Sequence, residues 1–406
     1  MSRFKVYIKP FKEDGDYEAE WVDVSDDVEL SGVSVAKQSL DSNEYDVGVF
    51  RNSGVTLALT NIAGKYSDVG EPGSLFKFRR SNSLVRITWQ IMHHDVKCGF
   101  FTCGNVALSD EVTIFEGLLD DRALKQGAEE QNLKFKVLGK EAILDETLVD
   151  FSVLSNGDTF EQIIFKLLDQ DQISEVLTVD ALNINCQTDI AVDDVTSLEN
   201  KTVKEALALI LQYSNSVLYV KEDVIYVSPR DASADLKFTF YGQGSRVGVE
   251  NILDIVDYRK GLNRVFNFVT WRETDLYAEE FSSVQSYGVQ KKEIETALIT
   301  DTTKRQNILN AIRSEFGNPK REMILKAPIT YETITLGVLD KVAVDYPNIA
   351  ISDVGEIPLW DISKWDQAKF PFEVLPISIE STARFKILSR DVDPNNHELI
   401  FNLREV

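Results

Sequence analysis

Thr159-Phe-Glu-Gln-Ile-Ile-Phe-Lys-Leu-Leu168 and Thr202-Val-Lys-Glu-Ala-Leu-Ala-Leu-Ile-Leu-Gln-Tyr213 are two helical stretches in a chain that otherwise reads as strands. Each opens on a Thr followed three residues later by Gln162 or Glu205. This is the capping-box spacing, in which the Thr oxygen and the Gln or Glu side chain satisfy free N–H groups at a helix start. Behind the caps, Ile163, Ile164, Leu167 and Leu168, then Ala206, Leu207, Ile210 and Leu211, fall on one helical face. The second helix leads through Tyr213-Ser-Asn-Ser216 into Val217-Leu-Tyr-Val-Lys-Glu-Asp-Val-Ile-Tyr-Val-Ser-Pro-Arg230, two strands about a polar Lys221-Glu-Asp223 turn. From Leu154 to Arg230 the pattern predicts a small α/β unit, large enough for an insert and too small for the whole protein.

On both sides of this unit the periodicity is mostly two. Val55, Leu57 and Leu59 alternate with Thr56, Ala58 and Thr60, and Leu133, Phe135 and Val137 with Lys134, Lys136 and Leu138. Turn-rich pieces such as Asp41-Ser-Asn-Glu44 and Glu71-Pro-Gly-Ser74 separate these runs. Strands return at Leu236–Phe240, Arg264–Trp271 and Lys341–Asp345. One further helix follows Asp301 or Thr302 as cap, with Ile308, Leu309, Ile312 and Phe316 as its apolar face and Gly317 and Pro319 as its stop. A hairpin about Pro394-Asn-Asn396 closes the chain. The expected class is mainly β with an α+β insert: a β-barrel domain over 1–150, a small α/β domain over 151–232, and a second β-barrel domain with one helix over 233–406.

Composition narrows the function. The 406 residues are 43% hydrophobic, ample for buried cores. No run of eighteen apolar residues occurs, and Met1-Ser-Arg-Phe-Lys-Val-Tyr-Ile8 enters a strand-like alternation directly, so neither a membrane anchor nor a signal peptide is expected. The three cysteines Cys98, Cys103 and Cys186 make no disulfide framework, which points to a reducing folding compartment. With 66 acids against 43 bases the net charge is −23, contrary to a surface that grips phosphates.

Candidate sites are few. Met92-His-His-Asp-Val-Lys-Cys98 with Cys103 is where metal-ligand types cluster, but His93, His94, Cys98 and Cys103 match no strong ligand spacing. Hairpin thiols buried as small apolar side chains are the favoured alternative. The other histidine is His397, and no Gly-x-Ser-x-Gly accompanies it, so no hydrolase triad is supported. Gly242-Gln-Gly244 lacks the third glycine of a dinucleotide cradle. Carboxylates group at Asp23 to Glu29, Asp120-Asp121, Asp193-Asp194 and Asp391-Val-Asp393, expected as solvated faces in so acidic a chain. Trp360-Asp-Ile-Ser-Lys-Trp-Asp-Gln-Ala-Lys-Phe-Pro-Phe372 is more unusual, since Trp360, Trp365, Phe370 and Phe372 sit among charges. Large aromatics of this kind serve interfaces or sugar-stacking platforms, or fold back on their own domain.

Several stretches taken in order resemble a family. They are Leu40-Asp-Ser-Asn-Glu-Tyr-Asp-Val-Gly-Val-Phe50, Val112-Thr-Ile-Phe-Glu-Gly-Leu-Leu-Asp-Asp121, the helix from Thr202 with its hairpin ending Tyr226-Val-Ser-Pro-Arg230, Leu336-Gly-Val-Leu-Asp-Lys-Val342 and Phe385-Lys-Ile-Leu-Ser-Arg-Asp391. Together they look like a baseplate or tail-tip hub protein of long-tailed bacteriophages. The resemblance implies a non-enzymatic homotrimer in the virion tail, assembled in the host cytoplasm, with two tube-like barrels per copy. Three copies then match a sixfold tail-tube or distal-tail ring on one side and a threefold central spike or fibre on the other. The tape-measure protein is a further partner, and DNA meets the chain only in transit. A trimer would carry three times −23, or −69, so its contacts would have to be apolar or polar. Some relatives hold an iron-sulfur cluster; three cysteines cannot supply four ligands within one copy, so no cofactor is expected. The alternatives are a tail-tip receptor- or carbohydrate-binding module using Trp360 and Trp365, and a peptidoglycan hydrolase using scattered carboxylates.

Overall fold

The structure, a computed structural model, describes residues 4–12, 16–33, 36–40, 51–61, 64–66, 70, 73–90, 111–126, 132–221, 223–230, 235–242, 250–260, 264–346, 379 and 383–406. Both capping boxes form. Ahead of helix Phe160–Leu168, Thr159 Oγ1 accepts from the Gln162 N–H at 3.4 Å and Gln162 Oε1 accepts from the Thr159 N–H at 3.0 Å. Thr202 and Glu205 repeat the exchange at 3.2 and 3.0 Å ahead of helix Val203–Ser214. Asn215 stops that helix in the left-handed region, at φ 51°, where asparagine is tolerated better than most residues. The chain then turns into the hairpin Ser216–Lys221 and Val224–Pro229, with Lys221 opposite Val224. Helix Thr302–Phe316 is capped by Asp301, whose carboxylate accepts from the Lys304 N–H at 2.9 Å; this decides between Asp301 and Thr302.

The apolar faces of all three helices meet in one core. Ile163, Ile164, Leu167, Leu168, Ala206, Leu207, Ile210 and Leu211 pack with Val269, Trp271, Ile294, Ile308, Leu309, Ile312 and Phe316. Each Val, Leu, Ile or Phe side chain taken out of water contributes about 1.5–3 kcal/mol. The core therefore takes in residues on both sides of position 232. It includes a three-stranded sheet in the order Tyr277–Glu279, Phe268–Trp271, Lys291–Ile294.

The rest is mainly β, as the periodicity predicts, and its strands join in a single 13-stranded sheet that curls twice. In the first curl, Phe4–Lys9 pairs with Leu84–Gln90, then Glu111–Gln126, Asn132–Gly139 and Arg51–Thr60 follow in order. The run from Val22 to Ser39 brings the edges together. Val22 and Asp23 pair with Ile8 and Tyr7, while Val28 bridges Leu59 and Lys37 lies opposite Gly54. In the second curl the order is Leu236–Tyr241, Lys341–Asp345, Arg384–Asp393, Glu398–Glu405, Arg321–Pro328, Asp254–Lys260. Here the Asn251 N–H donates to the Tyr241 carbonyl at 2.9 Å and carries the last strand back toward the first.

Inward positions follow the period of two. Val6, Ile8, Val55, Leu57, Val85, Ile87, Phe135 and Val137 fill the first curl, and Phe240, Val342, Leu325, Phe385, Ile387, Phe401 and Leu403 fill the second. Closed or nearly closed sheets of this size are packed by side chains and leave no bore.

Strand Arg384–Asp393 belongs to both curls. Its first part pairs with Lys341–Ala343 and its last part, Ser389–Val392, with Ala36–Ser39. At this seam the Arg390 guanidinium reaches across: Nη1 donates to the carbonyls of Ile334 and Leu336 at 2.9 and 3.0 Å, and Nη2 to that of Ile114 at 3.3 Å. Part of Arg390 stays exposed, but its Nε is sealed from solvent. Nearby the turn of the terminal hairpin sets His397 edge-on against Trp89, 5.3 Å between ring centroids. Replacing Arg390 by Ala removes a donor from three carbonyls at this seam. We expect a loss of about 3 kcal/mol in urea unfolding, against under 0.5 kcal/mol for an exposed control such as Lys291→Ala.

Candidate functional site

Of the residues the sequence singled out, His93, His94, Cys98, Cys103, Trp360, Trp365, Phe370 and Phe372 lie outside the described residues. Cys186 is described. Burial pushes its thiol up to about 12, which leaves it protonated and unreactive at neutral pH. Among the described residues no three His, Cys, Asp or Glu side chains come together as metal ligands.

The carboxylate groups turn out to be tied down. Asp27 accepts from Lys65 Nζ at 2.7 Å and from the Tyr66 hydroxyl at 2.5 Å. Desolvation raises its pKa, yet these two donors outweigh that and hold it below the usual range. Asp193 accepts from the Thr300 N–H at 2.7 Å, the Asp301 N–H at 2.9 Å, the Thr300 hydroxyl at 3.1 Å and the Lys304 ammonium. Against the same desolvation, Lys304 and the N–H groups hold it well below the usual range. Asp194 accepts from the Thr196 N–H at 2.9 Å, and Asp393 caps the terminal turn through the Asn395 and Asn396 N–H groups at 3.0 and 3.2 Å. A carboxylate held ionised by several donors is a poor general acid near neutral pH. These are caps and turn braces, a more specific use than the solvated faces expected from composition.

Charged side chains also fasten the α/β unit to the curls. Lys140 lies 2.7 Å from Glu116 on strand Glu111–Gln126 and 2.6 Å from Asp223 in the hairpin turn. On the other side, Phe316 has the Arg404 guanidinium 5.0 Å and the Arg230 guanidinium 5.7 Å from its ring centre. The Lys386 ammonium donates to the Arg230 carbonyl beside them. Buried cations resting on an aromatic face gain attraction from the ring, and Arg404 also lies 3.8 Å from the Glu322 carboxylate.

The surface feature that sequence reading missed is the segment from Phe268 to Gln290. Helix Phe281–Tyr287 buries only Ser283, whereas Phe281 is 64% exposed. It is held by polar contacts in place of an apolar face. The wholly buried Asn267 donates from Nδ2 to the Gly288 carbonyl at 2.8 Å and to Ser283 Oγ at 3.3 Å, and its Oδ1 accepts from the Gln290 N–H at 2.7 Å. Gly288 then turns the chain at φ 73°. Alongside, Tyr277 stacks on Phe268, 5.4 Å between centroids and 21° between planes, on the face of the three-stranded sheet opposite Val269 and Trp271. Ten residues without a charge, Phe281 to Gln290, are the signal that could have marked it.

Solved structures similar to the chain include tail proteins, two of them from prophages. It matches the tail protein from Neisseria meningitidis MC58 over 99% of its own length and 96% of that chain, at 12% identity and a TM-score of 0.55. The 43 kDa tail protein of prophage MuSo2 from Shewanella oneidensis matches over 98% and 97%, at 11% identity and 0.52. Prophage tail protein gp18 from Listeria monocytogenes EGD-e matches over 98% and 94%, at 8% identity and 0.50. No family model and no curated protein sequence matches the chain. The chain thus has a phage tail protein fold over nearly its whole length.

The Asp193 clasp makes stability depend on acid. Its folded pKa lies below the ordinary 3.8, so its contribution is complete above that value and drains as pH falls below it. Asp193→Asn should cost about 2 kcal/mol at pH 7 and much less near pH 2, so urea midpoints of variant and parent should converge on acidification.

Proposed function

We propose that this chain is a structural tail protein whose three copies form the hub of a phage baseplate or tail tip. The observation that carries the proposal is the pair of curled sheets, fused through one strand and both packed solid. Two filled curls per chain give six wall elements in three copies, and a passage for DNA then runs between copies. The similarity to prophage tail proteins over 98% or more of the chain supports it. In this reading, residues 1–150 and 233–406 supply the two wall elements and 151–232 the insert between them, with the insert's core extended by the three-stranded sheet and by helix Thr302–Phe316. The sixfold face meets a tail-tube or distal-tail ring, and the threefold face a spike or fibre, with the tape-measure protein in the passage. Trp360, Trp365, Phe370 and Phe372 serve contacts with a neighbouring tail protein. The charge of −23 per copy keeps phosphates from adhering to the wall. The role is geometric and calls for no cofactor.

The purified chain should sediment at three times its 45.9 kDa mass and show threefold class averages with a central hole in negative stain. A strictly monomeric chain that ignores tail-tube and distal-tail proteins would remove the hub reading.

A further inference from the structure

We propose that the uncharged ridge formed by Tyr277, Phe281, Tyr287 and Val289 is the surface on which a second copy of this chain docks. These side chains are 54%, 64%, 40% and 60% exposed. A helix on a water-facing surface ordinarily turns apolar residues inward and polar ones outward. Phe281–Tyr287 departs from this: the one residue it buries is Ser283, anchored through Asn267, while both of its aromatics, Phe281 and Tyr287, stay exposed beside Ser282, Gln285 and Ser286. The Asn267 bonds fix the helix before any partner arrives, so little ordering entropy is left to lose on docking.

Charge selects the occupant. From Phe281 to Gln290 there is no Asp, Glu, Lys or Arg in a chain of which 27% is charged. By contrast, the stretch 151–232 holds 14 acids against five bases. A basic partner would be drawn to acidic faces such as that of 151–232. Two bodies that each carry −23 approach at least cost through a neutral face, with charged flanks screened beyond about 8 Å at physiological salt. Aromatic side chains with few charges are also what the buried centre of a protein interface contains. A second copy fits both conditions.

The proposal rests on the self-association contained in the hub reading, and the test separates the two. Sedimentation of the full chain is compared with that of Phe281→Asp/Tyr287→Asp, alongside their melting temperatures. The parent should associate, and the variant should dissociate at least about a hundredfold more readily with a melting temperature within a few degrees, since both side chains are exposed in one copy. Hydrogen exchange of the parent at low and high concentration gives a second readout that no misfolded variant can spoil: amides of 277–290 should slow as association proceeds. A parent that associates with neither effect overturns the ridge and leaves the hub standing. A parent that stays monomeric overturns both, and protection of 277–290 only by an added tail-ring protein overturns the second copy as occupant.

Discussion

A β-strand has two hydrogen-bonding edges, and in Arg384–Asp393 one edge is divided lengthwise between the two curls of the large sheet. Glu398–Glu405 occupies the other edge throughout, across a register shift between Ile387 and Ser389. Arg384–Lys386 serve the second curl and Ser389–Val392 the first. The angle and spacing of the two curls are thereby set by backbone register and not by a flexible linker. A slip of one residue would turn Phe385 and Ile387 outward and empty the second curl of two wholly buried side chains. Arg390 reinforces the register, because its donors fit the carbonyls of Ile334, Leu336 and Ile114 only when both sheets are in place.

What was legible in the sequence was local. Thr159 with Gln162, Thr202 with Glu205, Asp301 before its helix and the terminal turn after Asp393 each announce themselves within a few residues, because caps and turns are short-range hydrogen-bond problems. The alternation of Leu133, Phe135 and Val137 likewise shows which side faces inward. The seam was not legible, since nothing near Lys37 or Asp391 states that they will lie opposite each other. The reach of the α/β core was missed for the same reason. Val269, Ile294 and Ile308 look like ordinary strand and helix residues until the fold brings them against Leu167 and Leu207. Of the sites, the acidic pairs were visible but their use was not: Asp193 clasps a helix start more than a hundred residues away.

The α/β unit combines two means of attachment with different tolerances. Its helices hold together by apolar burial, which accepts many residues of similar volume. Its ties to the curls run through Lys140 with Glu116 and Asp223, and through Arg230, Lys386 and Arg404 around Phe316. Such contacts demand particular donors and acceptors at particular places. Solved tail proteins at 8–12% identity keep the path of the backbone, which is what interchangeable apolar cores allow.

The shared strand also imposes an order in time. Ser39 pairs with Ser389, 350 positions later. At roughly 5–20 residues per second, the ribosome takes roughly 20–70 s to cover that distance. Through that interval strand Ala36–Ser39 has a bare edge, the kind of template on which foreign strands add. The same geometry thus makes closure of the seam a long-range step that can be taken only after the last strands have left the ribosome.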